Sequence, residues 1–259
     1  RVLVVDDNVT NQKVAVSLLE RLGVPADVAG NGLECLEILD RAPVTYKLIL
    51  MDLEMPEMDG CTATREIRKR YAGWQQIPII AMSANAFDEG RQRAEEAGVD
   101  GYLCKPVKLQ DLQDIVQRWT GAVLKDLDVL DELADAAGES VLEGEAAKRL
   151  MMLAQASGGA WFAELCGNFL KDTQERITAL RAESEKGDIA TMRTLLHTLI
   201  GASSTMGAQD LVATLKRIQD GVHASNEKAI RDALQQLQPE LDRLRAELEN
   251  LQRRVHATA

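Results

Sequence analysis

Four short apolar runs, VLVV at 2–5, KLILM at 47–51, IPIIAM at 77–82 and GYLC at 101–104, punctuate the first 120 residues, with a weaker one near Asp27–Ala29. The stretches between them carry apolar residues at helical spacing. Strands without the polar alternation of a half-exposed sheet are buried on both faces, so this order predicts a parallel sheet covered by helices on both sides. The expected fold of this part is α/β, a doubly wound five-stranded parallel sheet.

From Lys108 onward no strand-like run occurs. Gly121 to Gly144 is acidic, Ala-rich and broken by Gly138, which reads as a linker with one short helix near Val129–Ala137. Beyond it, helical patterns separated by Gly158-Gly159, Gly187-Asp188, Gly207 and Ala224-Ser225-Asn226 predict four long helices with short connections, an all-α antiparallel four-helix bundle. The last helix places Ile230, Leu234, Leu237, Leu241, Leu244, Leu248, Leu251 and Val255 on one stripe, the seam of a bundle core. Pro239 falls on its opposite face and predicts a kink. The expected organisation is residues 1–120, a linker over 121–145, and a helical domain over 146–259.

A length of 259 residues agrees with two domains, each able to bury its own core. Cys35, Cys61, Cys104 and Cys166 form no C-x-x-C pair, which predicts reduced thiols in a cytoplasmic setting. The chain has no run of about 18 apolar residues and opens on a strand without signal peptide or initiator Met, so it reads as a piece of something longer without membrane contact of its own. A cytoplasmic fragment leaves room for an inner-membrane anchor in the parent. The net charge is −11, and residues 121–145 hold 8 of the acidic side chains against 1 basic one. No segment is strongly basic, which speaks against nucleic acid as a partner.

Ligands of doubly wound sheets bind beyond the carboxyl ends of the strands. Here Asp6 and Asp7 follow the first strand, Asp52 ends the third, Ser83 ends the fourth and Lys105 ends the fifth. Three carboxylates against one ammonium resist joint ionisation unless a cation joins them, and a hard ion with oxygen ligands, Mg²⁺ above all, suits them. Such a set points to phosphoryl transfer, with Asp52 as nucleophile and with Lys105 and the Ser83 hydroxyl on the phosphoryl oxygens.

The segments DD at 6–7, MDLEMPEMDG at 51–60, MSA at 82–84 and YLCKP at 102–106 resemble the response-regulator receiver family over roughly residues 1–120. The resemblance implies that Asp7, Asp52 and the Glu54 carbonyl ligate Mg²⁺, with Asp6 acting through water. It also implies a cis Lys105–Pro106 peptide and a switch in which Tyr102 is coupled to Ser83.

Of three histidines, His197 stands apart. On a helix over Ile189–Met206 the residues Ile189, Met192, Leu195, Leu196, Leu199, Ser203 and Met206 share one face, and His197 points about 150° from its centre, which predicts exposure. Its neighbours at i−4, i+4 and i+7 are Arg193, Gly201 and Ser204, so one side lacks a side chain and a docking partner has access to the ring. HTLIGASSTMG at 197–207 resembles the H-x-x-K-G-x-S-x-x-x-G signature of histidine-containing phosphotransfer (HPt) domains, with Ile200 where the family has Lys.

Together the two resemblances imply the C-terminal part of a hybrid sensor histidine kinase. Its partners would be a histidine kinase domain of the same or another chain and a downstream response regulator. Nothing resembles an ATP-binding kinase domain. A rival reading keeps the receiver as a switch and makes the helical domain a docking or dimerisation module whose His197 is never phosphorylated.

Overall fold

The computed structural model describes residues 1–41, 46–71, 77–83, 89–122, 124 and 145–258. The helix expected near Val129–Ala137 and most of the expected linker lie outside the described residues. The chain divides into two compact units, Arg1–Asp126 and Leu127–Ala259.

The first unit alternates β1 (Val2–Val5), α1 (Val9–Arg21), β2 (Ala26–Ala29), α2 (Gly32–Arg41), β3 (Leu48–Asp52), α3 (Gly60–Arg70), β4 (Ile79–Ser83), α4 (Glu89–Ala97), β5 (Gly101–Cys104) and α5 (Leu109–Thr120). All pairings are parallel, in the order β2-β1-β3-β4-β5. Helices α1 and α5 pack together, as do α2 with α3 and α3 with α4. Leu3, Val5, Ile49 and Met51 meet Cys35, Leu36, Leu39 and Ile67 of α2 and α3 in one core. The intervening Val2, Val4, Leu48 and Leu50 are equally buried, and strand alternation turns them to the other face. That double burial is why these strands read as unbroken apolar runs.

Strand β4 starts at Ile79, two residues inside the apolar run. The Ile77 carbonyl is taken by Arg68, and Pro78 has no N–H to give a ladder. Arg68 also donates from Nε to the Gly98 carbonyl and pairs with Asp100, whose carboxylate accepts the Ile79 N–H. One guanidinium of α3 thus ties the entries of β4 and β5 together, at the end of the sheet away from the strand C-termini.

The second unit contains α6 (Glu145–Ser157), α7 (Gly159–Lys186), α8 (Ile189–Thr205), α9 (Gln209–His223) and α10 (Glu227–Thr258). The four long helices pack in a ring, α7 on α8, α8 on α9, α9 on α10 and α10 on α7, while α6 packs on α7 and α10. All eight residues of the predicted α10 stripe are buried, and α10 continues through the exposed Pro239. Polar contacts fix its place against α7: the Gln174 and Gln238 amides exchange hydrogen bonds at 3.1 Å, and Arg181 donates to the Leu234 carbonyl. Between α9 and α10, Thr214 donates to Glu240 at 2.8 Å.

Candidate functional site

The C-terminal ends of β1, β3 and β5 bring Asp6, Asp7, Asp52 and Lys105 together. One oxygen from each of the three carboxylates lies within 4.8 Å of the others. Lys105 Nζ stands 2.8 Å from Asp6 Oδ2 and 2.6 Å from Asp52 Oδ2, with the three side chains 5%, 1% and 2% exposed. Burial by itself would lower the Lys105 pKa, but the charges of Asp52 and Asp6 and the hydrogen bonds to both outweigh it and hold the ammonium above its ordinary range. Two carboxylates thus share one cation in a nearly dry pocket, with the half-buried Asp7 beside them. The donor set is all hard oxygen and carries a net negative charge, so it fits a small divalent ion such as Mg²⁺.

Local structure aims these groups. The Asn8 side chain caps α1 by accepting the Thr10 and Asn11 N–H groups, and the Asn8 N–H and Asn11 Nδ2 in turn donate to Asp6. The Glu54 N–H reaches Asp52 Oδ1 at 3.3 Å, and the Glu54 side chain is exposed. Gly60 opens α3 directly behind Asp52: its N–H donates to the Leu53 carbonyl at 3.1 Å, and a Cβ at this position would overlap the Asp52 carbonyl oxygen and lie 3.0 Å from its carbon. Asp59 caps the same helix, accepting at 2.9 Å from both the N–H and the hydroxyl of Thr62.

Ser83 ends β4, half-buried, and its carbonyl accepts the Lys105 N–H at 2.8 Å. Lys105–Pro106 is cis, as the resemblance implied. The Tyr102 hydroxyl donates to the Arg91 carbonyl of α4, with the Arg91 guanidinium 4.9 Å from the ring centre, so Tyr102 is tied to the helix that follows Ser83. All four cysteines are free, and only Cys104 is exposed.

His197 lies in the middle of α8. It is half-buried, not exposed as its helical angle predicted, because α7 and α9 flank α8 and bury Thr198, Ile200, Gly201, Ala202 and Thr205 beside the expected stripe. Gly201, expected to leave one side of the ring open, is itself buried. Arg193 is exposed, Ser204 is half-buried and Ile200 is 8% exposed.

Asn8, Asn11, Asp59 and Gly60 escaped the sequence reading. An Asn three residues before another Asn at the start of a helix was the available signal for the first two. Asp59 and Gly60 close the MDLEMPEMDG segment, but the close approach of Gly60 to Asp52 appears only once α3 is packed.

Residues 2–117 match the family model of the response regulator receiver domain, and residues 164–256 that of the Hpt domain. Sensor histidine kinase GacS of Pseudomonas protegens is 30% identical over 95% of this chain, which spans 27% of that protein. Hybrid signal transduction protein dokA of Dictyostelium discoideum is 45% identical over 46% of this chain, which spans 7% of it. The receiver domain of sensor histidine kinase PA1611 from Pseudomonas aeruginosa, crystallised with a magnesium ion in its active site cleft, is 40% identical with a TM-score of 0.43, covering 47% of this chain and 97% of that one.

Proposed function

Since the chain belongs to the receiver and Hpt families, a response regulator receiver domain followed by an Hpt domain as in hybrid histidine kinases, we propose that it relays phosphoryl groups through Asp52 and His197. The observation that carries this reading is the buried Asp6–Lys105–Asp52 array at the strand ends, with Asp7 completing the carboxylate set.

In the first step an Asp52 carboxylate oxygen attacks phosphorus on a kinase phosphohistidine; the O–P bond forms as the N–P bond breaks, and the electron pair returns to the imidazole. Lys105, released from Asp52, neutralises a phosphoryl oxygen, and the Ser83 hydroxyl donates to another. In the second step a ring nitrogen of His197, or of a histidine elsewhere, attacks the aspartyl phosphate, and the Asp52 carboxylate leaves as an anion that regains Lys105. The Hpt step also runs in reverse, toward the aspartate of a separate receiver. Asp7, Asp52 and the Glu54 carbonyl, with Asp6 behind them, would hold Mg²⁺, which supplies further charge neutralisation on the phosphoryl oxygens.

The partners of this reading are a histidine kinase domain and a downstream response regulator. No described helix is long and apolar enough to cross a membrane. The buried Ile200 is the observation that favours the rival, in which the helical unit only docks.

The test is labelling of the whole chain by a cognate kinase. Wild type should carry a base-labile phosphate on Asp52 and an acid-labile, base-stable one on His197. Asp52→Asn should lose both and His197→Gln only the second. A base-stable label that survives His197→Gln, or never forms, would leave the switch-and-docking reading standing.

A further inference from the structure

A phosphoryl group on a histidine brings close to two negative charges to the helix surface, and charge-assisted bonds from a nearby cation are the strongest way to hold it. Helix α8 offers one candidate. Its sequence IATMRTLLHTLIGASST contains a single basic residue, Arg193, and no acidic one. The Asp188 carboxylate at its N-cap is engaged by the Thr191 N–H and hydroxyl. Arg193 is exposed and has no ion-pair partner among the described residues.

Placement favours the same residue. Arg193 and His197 are four residues apart in α8 and so share one helical face, and side chains on a helix lean toward its N-terminus, which is the Arg193 side of the ring. On the other side of the ring, position 200 holds an apolar side chain turned into the bundle, position 201 has no side chain, and Ser204 is neutral and half-buried. A guanidinium can grip two phosphoryl oxygens at once, which an ammonium cannot.

We propose that Arg193 is the cation that binds the phosphoryl group on His197, a role that rests on the relay reading above. The experiment uses the full 259-residue chain carrying Asp52→Asn, so that only histidine is available, with phosphoramidate as donor. A ring nitrogen attacks phosphorus, the N–P bond of the donor breaks, and ammonia leaves. Labelling rate and the pH titration of the phosphohistidine ³¹P resonance are followed in Arg193, Arg193→Lys and Arg193→Ala chains. We expect Arg193→Ala to slow labelling about threefold and to raise the titration midpoint by about half a pH unit, the scale of an exposed charge pair. Arg193→Lys should restore the midpoint. A change confined to fold stability would leave the midpoint where it is. A wild-type rate and midpoint in Arg193→Ala would overturn the role of Arg193 and leave the relay intact. Absence of a base-stable label from every chain would overturn the relay reading and this inference with it.

Discussion

Asp52 is 2% exposed and shares a lysine with a second carboxylate, the three groups arriving from the ends of three different strands. His197 sits half-buried on one helix, with the nearest cation of that helix a full turn away. A side chain whose surroundings are assembled from several elements is sensitive to packing far from itself. One carried on a single helix depends on its immediate neighbours. The first unit should therefore lose function through changes that never touch Asp52, and the second should absorb comparable changes.

The largest effect should come from the shared lysine. Removing one partner of a buried ion pair strands the other charge, so Lys105→Ala should cost the receiver unit ~3–5 kcal/mol in the absence of divalent ions. Thermal unfolding with and without millimolar Mg²⁺ checks this, because an ion binding the bared carboxylates should return part of the loss.

Gly60→Ala comes next. The added methyl must displace the Asp52 backbone, an overpacking cost of ~1–3 kcal/mol. On the relay reading, phosphorylation of Asp52 should also slow, and a variant with normal stability and normal labelling would show that α3 yields without moving Asp52.

Asp59→Ala should cost ~1 kcal/mol as a lost helix cap. Burial raises the pKa of Asp59, but the two bonds from Thr62 outweigh it and hold the pKa below the usual carboxylate range. The cap therefore contributes fully above about pH 4, the ordinary unfolded value, and its contribution fades as pH falls through the lower folded one. Urea midpoints of wild type and variant should converge in acid.

The smallest change should carry the opposite sign. Gly167 is exposed inside α7 with nothing near its would-be Cβ, so Gly167→Ala should stabilise the helical unit by ~0.5–1 kcal/mol and leave His197 labelling unaltered. Loss of labelling there would erase the contrast between the two units.

Much of the first site was legible because each group ends an apolar run: Asp6, Asp52, Ser83 and Lys105 all sit where a buried strand emerges. Their supports were not, since Asn11, Arg68 and Gly60 act on residues that only the packed fold brings near. In the second unit the helices and the α10 stripe followed from periodicity. The surroundings of His197 did not: a stripe count assumes one covered face, while α8 has neighbours on two sides. Thr198 and Ile200 are buried for that reason, and a lysine at position 200 would start from the interior. The Thr214–Glu240 and Gln174–Gln238 contacts were not legible either, because the sequence does not reveal which polar groups meet across helices.

Helices α7 and α10 have 28 and 32 residues, about 42 and 48 Å, against 17 and 15 for α8 and α9, about 26 and 23 Å. The two long rods run antiparallel, with Gln174 opposite Gln238 and Arg181 reaching Leu234, so the beginning of α7 and the tail of α10 project past the shorter pair together. Helix α6 roofs that projection, burying Leu150, Leu153 and Ala154. The helical unit thus has two storeys, one of four helices that houses His197 and one of three that receives the chain from upstream. Fraying of the incoming segment would be felt first in the three-helix storey, one floor away from His197.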